Sequence, residues 1–229
     1  MKSLWNDAEA ARFEGPLGLR VYTSRLLGRD KSLVLHGGGN TSVKIEENNL
    51  FGEQDEVLYV KGSGWDLETI LHAILPHRYV DHTHADAVLS VSNAPDGDRR
   101  IRDLYGDQVV VIPYIMAGFD LAAYCAREFP KQKTKNTVGM VLLSHGVFSF
   151  AADARESYEL MIELVSMAEK YLAAQKAWSV GLPAVPASAF KREEAAKLRN
   201  EVSKAAGFPL LCRCNDAPYF LSFARHPEV

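Results

Sequence analysis

The 229 residues carry 26 Lys and Arg against 29 Asp and Glu, a formal charge of −3 with both signs interspersed, which offers no field for nucleic acid or an anionic membrane surface. That length suits one large domain, or a domain with a short appendage, and is enough to bury a substantial core. Three cysteines, Cys125, Cys212 and Cys214, are too few and too unevenly placed for a disulfide framework, no stretch reaches the roughly 18 apolar residues of a membrane span, and residues 1–15 lack the apolar run of a signal peptide, so a soluble, reducing, cytoplasmic setting is expected.

In chain order, residues 18–28 place Leu19, Tyr22 and Leu26 at helical spacing and end in Gly28, read as a C-terminal cap. Residues 31–35 and 41–46 read as strands on either side of a turn, His36-Gly-Gly-Gly-Asn40, and residues 56–60 as a third strand stopped by Lys61-Gly-Ser-Gly64. A helix over 67–75 ends at Pro76. Strands at 79–83 and 109–113 flank a helix over 87–92 and a turn at Pro95-Asp-Gly97. Asp120 is placed to cap a helix over 121–129, and 138–145 reads as one strongly apolar strand.

A long helix is predicted over 154–178, capped by Asp153 with Glu156 three residues on, its stripe of Met161, Leu164, Ala168, Tyr171 and Leu172 facing the core. Residues 181–189 are rich in Pro and Ala and read as a linker. A charged helix over 190–206 follows, stopped by Gly207 and Pro209, then a short strand holding Cys212 and Cys214 as a buried pair, then a final helix. The mixed order predicts an α/β domain over 1–180 whose sheet is covered on both faces, with a helix-strand-helix appendage over 181–229.

The chemistry concentrates in three histidines. His82 and His84 are two residues apart in a strand-like run, which turns both imidazoles to one face. His145 ends a second apolar run and is followed by Gly146, where the backbone can turn closely. Three convergent histidines leave a zinc ion one or two open positions. The competing reading of a lone His-x-His, strand histidines satisfied by polar neighbours, loses ground once His145 is added. Gly37-Gly-Gly39 can turn successive N–H groups toward an anion, with the Asn40 amide beside it for a developing oxyanion; the same run suits a plain hairpin. Lys61-Gly-Ser-Gly64 repeats the pattern with a hydroxyl and an ammonium. His36, His72, His77 and His226 read as non-ligands.

Gly39-Asn-Thr-Ser42, Lys61-Gly-Ser-Gly64, Glu68-x-x-x-His72, His82-x-His84, Pro113-Tyr114 and Ser144-His-Gly146 together resemble, in the same order, the class II aldolase and adducin family. The likeness covers residues 7–178, and its wording is most similar to the aldolase domain of bifunctional rhamnulose-1-phosphate aldolase/alcohol dehydrogenases. No G-x-G-x-x-G dinucleotide motif is present among these residues.

The resemblance implies a three-layer α/β/α sandwich, tetrameric, with one Zn2+ or another divalent transition metal per chain held by His82, His84 and His145. It implies cleavage of a ketose 1-phosphate, best matched by L-rhamnulose 1-phosphate, into dihydroxyacetone phosphate and an aldehyde, the metal acting as a Lewis acid toward the enediolate. Glu68 becomes the general base and acid at the donor carbon, Tyr114 the proton donor reaching a neighbouring subunit, and Gly39, Asn40, Ser63 and Gly64 the phosphate and substrate contacts. Trp65-Asp66-Leu67 alone joins Gly64 to Glu68, where these relatives carry a sizeable segment. Epimerase, dehydratase and decarboxylase chemistry on the same scaffold, a hydrolytic zinc enzyme and a non-catalytic adducin-like module are the alternatives; the last is marked by lost metal ligands, and all three histidines are present.

Overall fold

Alternate residues of the apolar runs at 109–112 and 139–142 feed opposite cores. Val109, Val111 and Val141 enter one, Val110, Ile112, Met140 and Leu142 the other, as the two-residue period of a strand requires. A sheet with both faces buried follows, and helices must cover each side.

The computed structural model describes residues 1–34, 38–62, 68–178, 191–213, 215 and 217–225. Two compact units are distinguished, Met1–Trp178 and Ser179–Val229. In the first, α1 (Asp7–Ala10) and α2 (Gly15–Arg29) precede β1 (Asn40–Asn48) and β2 (Gln54–Lys61). Next come α3 (Thr69–Ile74), β3 (Tyr79–Thr83), α4 (Asp86–Ser92), α5 (Gly97–Tyr105) and, after a 3-10 turn, β4 (Val109–Ile112). The unit closes with α6 (Phe119–Gln132), β5 (Gly139–Leu142), β6 (Gly146–Ala151) and α7 (Ala154–Ala174).

Among the described residues six strands form one sheet in the order β2-β1-β3-β6-β5-β4. All pairings are antiparallel except the parallel β4–β5 pair. Residues of α2, α4, α5 and α7 build the core on one face, and those of α3 and α6 the core on the other, giving the three-layer α/β/α arrangement. Asp153 caps α7 by accepting the Arg155 and Glu156 amides.

Several elements differ from the sequence reading. Residues 31–34 form a turn rather than a strand, because Asp30 accepts the Ser32 amide at 2.9 Å while its carbonyl accepts the Leu33 and Val34 amides. Gly28 lies inside α2, which ends at Asp30. Asp120 sits in the first turn of α6 and does not cap it. The run at 138–145 is not one strand: β5 stops at Leu142, Ser144 turns with φ +58°, and β6, unforeseen, starts at Gly146. Helix α5 also went unforeseen, since its charged sequence offers the core little beyond the i, i+4 pair Ile101 and Tyr105 with Leu104 beside it.

In the second unit, α8 (Arg192–Ala206) stops at Gly207 in the left-handed conformation, φ +78°, and α9 (Pro218–Ala224) has proline in its first turn. The strand expected between them does not form among the described residues, and Cys212 is exposed rather than buried. Cys214, His226 and the expected linker 181–189 lie outside the described residues. Among the described residues no helix is long and apolar enough to cross a membrane.

One buried ion pair ties the site's strands to their helices. Arg20 on α2 meets Asp81 on β3, both almost fully buried. Ser157 of α7 donates to the other Asp81 oxygen at 2.6 Å, and Arg20 Nη1 also donates to the Ser42 carbonyl at 3.3 Å. Removing one member strands a charge in low dielectric, so Arg20→Leu is expected to cost about 3–5 kcal/mol in urea unfolding. The double variant Arg20→Leu, Asp81→Val should recover most of it; a double variant as unstable as the single one would refute this account.

Candidate metal centre

The geometry begins with β3. His82 is buried, and its ring stacks on Phe148 of β6 with centroids 4.1 Å apart. Its Nδ1–H donates to the Val147 carbonyl at 3.1 Å, which leaves Nε2 with a free lone pair. His84 lies just beyond the end of β3, not within it, and its Nε2 stands 3.1 Å from His82 Nε2. His145 sits in the tight turn between β5 and β6, where its amide donates to the Leu142 carbonyl at 3.1 Å. A left-handed serine precedes it, a conformation costing on the order of 1 kcal/mol for a residue with a Cβ.

Glycines make room for these rings. A Cβ on Gly146 would lie 2.6 Å from the Thr83 carbonyl oxygen and 2.7 Å from His82 Cε1. One on Gly39, already at φ +81°, would lie 2.4 Å from the His82 carbonyl oxygen, and one on Gly38 would lie 2.7 Å from His84 Nδ1. Backbone is thus packed directly against the imidazoles from two sides.

Glu68, at the N-cap position of α3, closes the group. Its Oε1 is 2.9 Å from His145 Nε2, 3.7 Å from His82 Nε2 and 3.9 Å from His84 Nε2. Its Oε2 accepts a hydrogen bond from the Asn40 amide nitrogen. One donor atom from each of Glu68, His82, His84 and His145 falls within a 4.8 Å span. Donors about 2.0–2.1 Å from a common zinc at tetrahedral corners would be ~3.4 Å apart, so the four residues fit a zinc-sized ion with little rearrangement.

Electrostatics agree with that fit. Burial, then the charges of His82 and His145, push the His84 imidazole down to about 4; burial likewise pushes His82 down. Neutral imidazoles with lone pairs are the form a metal takes. For Glu68, burial raises the pKa, but the hydrogen bond with His145 and the closeness of the His82 ring outweigh it and hold the carboxyl well below its usual range. The group is ionised.

The structure therefore brings together His82, His84, His145 and Glu68, with Asn40 and Gly39 alongside. Ser63 and Gly64, and the short 65–67 connection, lie outside the described residues. Tyr114 is not in the cluster: it follows β4 at the far edge of the sheet and is 58% exposed. His72, passed over as a non-ligand, is buried beside the site, with Nδ1 2.7 Å from Ser42 Oγ and Nε2 2.5 Å from Asn40 Oδ1. The signal was its position one turn after Glu68 and the alternation of Asn40 and Ser42 on β1.

Two measurements probe this packing. In zinc titrations, Gly146→Ala should weaken binding ~10–100-fold, the usual cost of disturbing ligand support. Gly28→Ala, with nothing within 4 Å of its Cβ position, should not; equal affinities for both variants would contradict the steric argument. The second concerns protons. Burial, ahead of the charges of His82, Arg20 and Lys44, pushes His72 down to about 3, so unfolding takes up a proton below pH ~6.5. Its stabilising effect is complete above that pH and is lost as pH falls toward about 3. Metal-free protein should lose at least about 1 kcal/mol by pH 5.5, above the range of ordinary carboxylates, with His82 and His84, pushed the same way by burial, adding to the loss from His72. Urea curves that coincide at pH 7 and 5.5 would show it to be wrong.

Comparison with known proteins supplies the family. The profile of the class II aldolase and adducin N-terminal domain matches residues 68–172. The N-terminal class II aldolase domain of a conserved protein from Thermoplasma acidophilum is 33% identical with a TM-score of 0.65, the match covering 75% of this chain and 99% of that one. A sugar-phosphate aldolase from Thermotoga maritima shares the fold at 15% identity and a TM-score of 0.52, over 71% of this chain and 96% of that one. The uncharacterized oxidoreductase YuxG of Bacillus subtilis is 29% identical over 220 residues, covering 75% of this chain, and the chain spans 32% of that protein's length. With four donor groups converging at the end of β3 and a domain matched over nearly its whole length, the chain belongs to the class II aldolase and adducin family.

Proposed function

We propose that the protein is a zinc-dependent aldolase that cleaves a ketose 1-phosphate, with L-rhamnulose 1-phosphate as the substrate to test first. The observation that carries the reading is the convergence of three histidine nitrogens and an ionised carboxylate within 4.8 Å in a chain of this family. His82, His84 and His145 would hold the ion, and when bound it supplies Lewis acidity to the oxygens of the dihydroxyacetone phosphate half.

The chain's own residues account for the proton traffic. In the condensation direction the Glu68 carboxylate takes a proton from the donor carbon of dihydroxyacetone phosphate, and that carbon then bonds to the aldehyde. In cleavage the hydroxyl that becomes the aldehyde oxygen gives up its proton at that end of the site, the carbon–carbon bond breaks, and the donor carbon takes a proton from Glu68 once solvent has protonated that carboxylate. The Asn40 amide nitrogen, already donating to Glu68 Oε2, keeps that carboxylate aimed while Oε1 faces the histidines. Tyr114, exposed and distant from its own cluster, serves as the proton donor to the aldehyde oxygen only if a second subunit receives it, so the reading carries a homo-oligomer, a tetramer, with it. Gly39, Asn40, Ser63 and Gly64 are assigned to the phosphate end.

The test is an elemental metal assay on purified protein, paired with detection of dihydroxyacetone phosphate released from L-rhamnulose 1-phosphate. About one zinc per chain together with product is expected. Deuterium exchange at the donor carbon without cleavage would instead favour the epimerase or decarboxylase branch, and neither metal nor exchange would leave an adducin-like binding module. His145→Ala should lose stoichiometric zinc while its melting temperature, measured metal-free, stays near that of the parent, because a catalytic ion on a preformed sheet is not the main source of stability. Glu68→Gln should keep zinc and lose exchange by ~100-fold or more.

A further inference from the structure

Helix α3 is only six residues long and its N-terminus has no side-chain cap, so it is too short to hold Glu68 rigidly on its own. What holds the carboxylate is a file of polar groups running back into the sheet. Asn40 and Ser42 lie two apart on β1 and present their side chains to the same face, where the fully buried ring of His72 spans them. Asn40 in turn donates to Glu68 Oε2. Because Asn40 is paired with His82 across the sheet, the file references Glu68 to the strand that carries the histidines.

The file has a direction. Enclosed beside Phe148, with ring centroids 5.8 Å apart, and facing Arg20 and Lys44 through space, His72 stays neutral. A neutral imidazole has one donor and one acceptor nitrogen. If Nε2 carries the hydrogen, it donates to Asn40 Oδ1, Ser42 donates to Nδ1, and the Asn40 nitrogen is turned to the carboxylate. If Nδ1 carries it, Nε2 must accept from Asn40, whose oxygen would then face Glu68 Oε2. Two acceptors in contact in a buried pocket are strongly unfavourable.

We propose that His72 is a positioning residue of the centre: as the Nε2–H tautomer it fixes the Asn40 amide with its nitrogen toward Glu68, which ties Oε2 and leaves Oε1 to face the three histidines. The catalytic consequence rests on the proposed role of Glu68 as base; the structural statement does not.

The experiment has two arms on the full chain. First, 15N NMR of histidine-labelled, metal-free protein, with the His72 ring assigned by its loss in His72→Gln, should show protonated Nε2 and unprotonated Nδ1. The opposite tautomer, or fast averaging between the two, would overturn the proposal whatever the enzyme does. Second, in the zinc-loaded protein, deuterium exchange into dihydroxyacetone phosphate is compared for His72→Gln, whose amide can place an N–H near the Nε2 position, and His72→Asn, which reaches only the Nδ1 position. His72→Asn should lose ~10–100-fold in kcat at unchanged zinc stoichiometry, as other losses of second-layer support do, while His72→Gln stays near the parent. Equal losses in both at unchanged zinc content would show that His72 only fills space. Should His72→Asn fail to fold, the tautomer and the His72→Gln rate decide. Absence of exchange in the parent would defeat the aldolase reading and leave the NMR arm to judge this one.

Discussion

The approach of the β5–β6 turn to the end of β3 is the constraint on which the site depends. At Gly146 the backbone comes so close to Thr83 and His82 that a Cβ would sit 2.6 Å from a carbonyl oxygen. That contact lets β6 pair with β3 in register from Thr83 and Val147 onward, so Phe148 lies against the His82 ring and the Val147 carbonyl receives its Nδ1 hydrogen. Orientation and tautomer of one imidazole thus come from a strand register. The same turn delivers His145 from the opposite side, through a serine held left-handed.

Desolvation is the cost of such a cluster, and the structure offsets it group by group. His82 has a carbonyl for one nitrogen, Glu68 has His145 and Asn40 for its two oxygens, and His72 has Ser42 and Asn40. Burial alone would drive Glu68 toward its neutral acid; the hydrogen bonds at its two oxygens reverse that, and the result is a charged carboxylate facing His82 and His84 rings that burial keeps from taking a proton. A cation satisfies such a set better than protons do, because each proton on an imidazole here works against burial.

What the sequence made legible were features that depend on short-range geometry. The His-x-His spacing brings His82 and His84 into one cluster even though His84 lies just past β3, apolar alternation yields the two-faced sheet, and Asp153 announces α7. What it hid were features decided by tertiary contact. Whether 138–145 was one strand or a strand and a turn hung on Ser144 adopting φ +58°, which no local propensity favours. Likewise 31–35 carries strand-forming residues, yet a single Asp30 side chain captures the local amide at 32. Helix α5 shows so little apolar surface that only its packing reveals it; Tyr105 reaches the Leu164 carbonyl of α7 at 2.9 Å.

His72 shows the same division within the site itself. Read along the chain it is one more histidine on a helix, and a search for metal ligands passes over it. Its partners, however, lie on β1, about thirty residues earlier in the sequence, and become neighbours only when α3 packs across that strand. A ligand set can be recognised from spacing because a metal asks for convergent donors, whereas the groups that aim those donors are chosen by whatever surface the fold lays beside them. The outer layer of a site is therefore where a structure adds most to a motif, and in this chain it links the base, the amide beside it and the ligand strand through one imidazole that touches no metal donor.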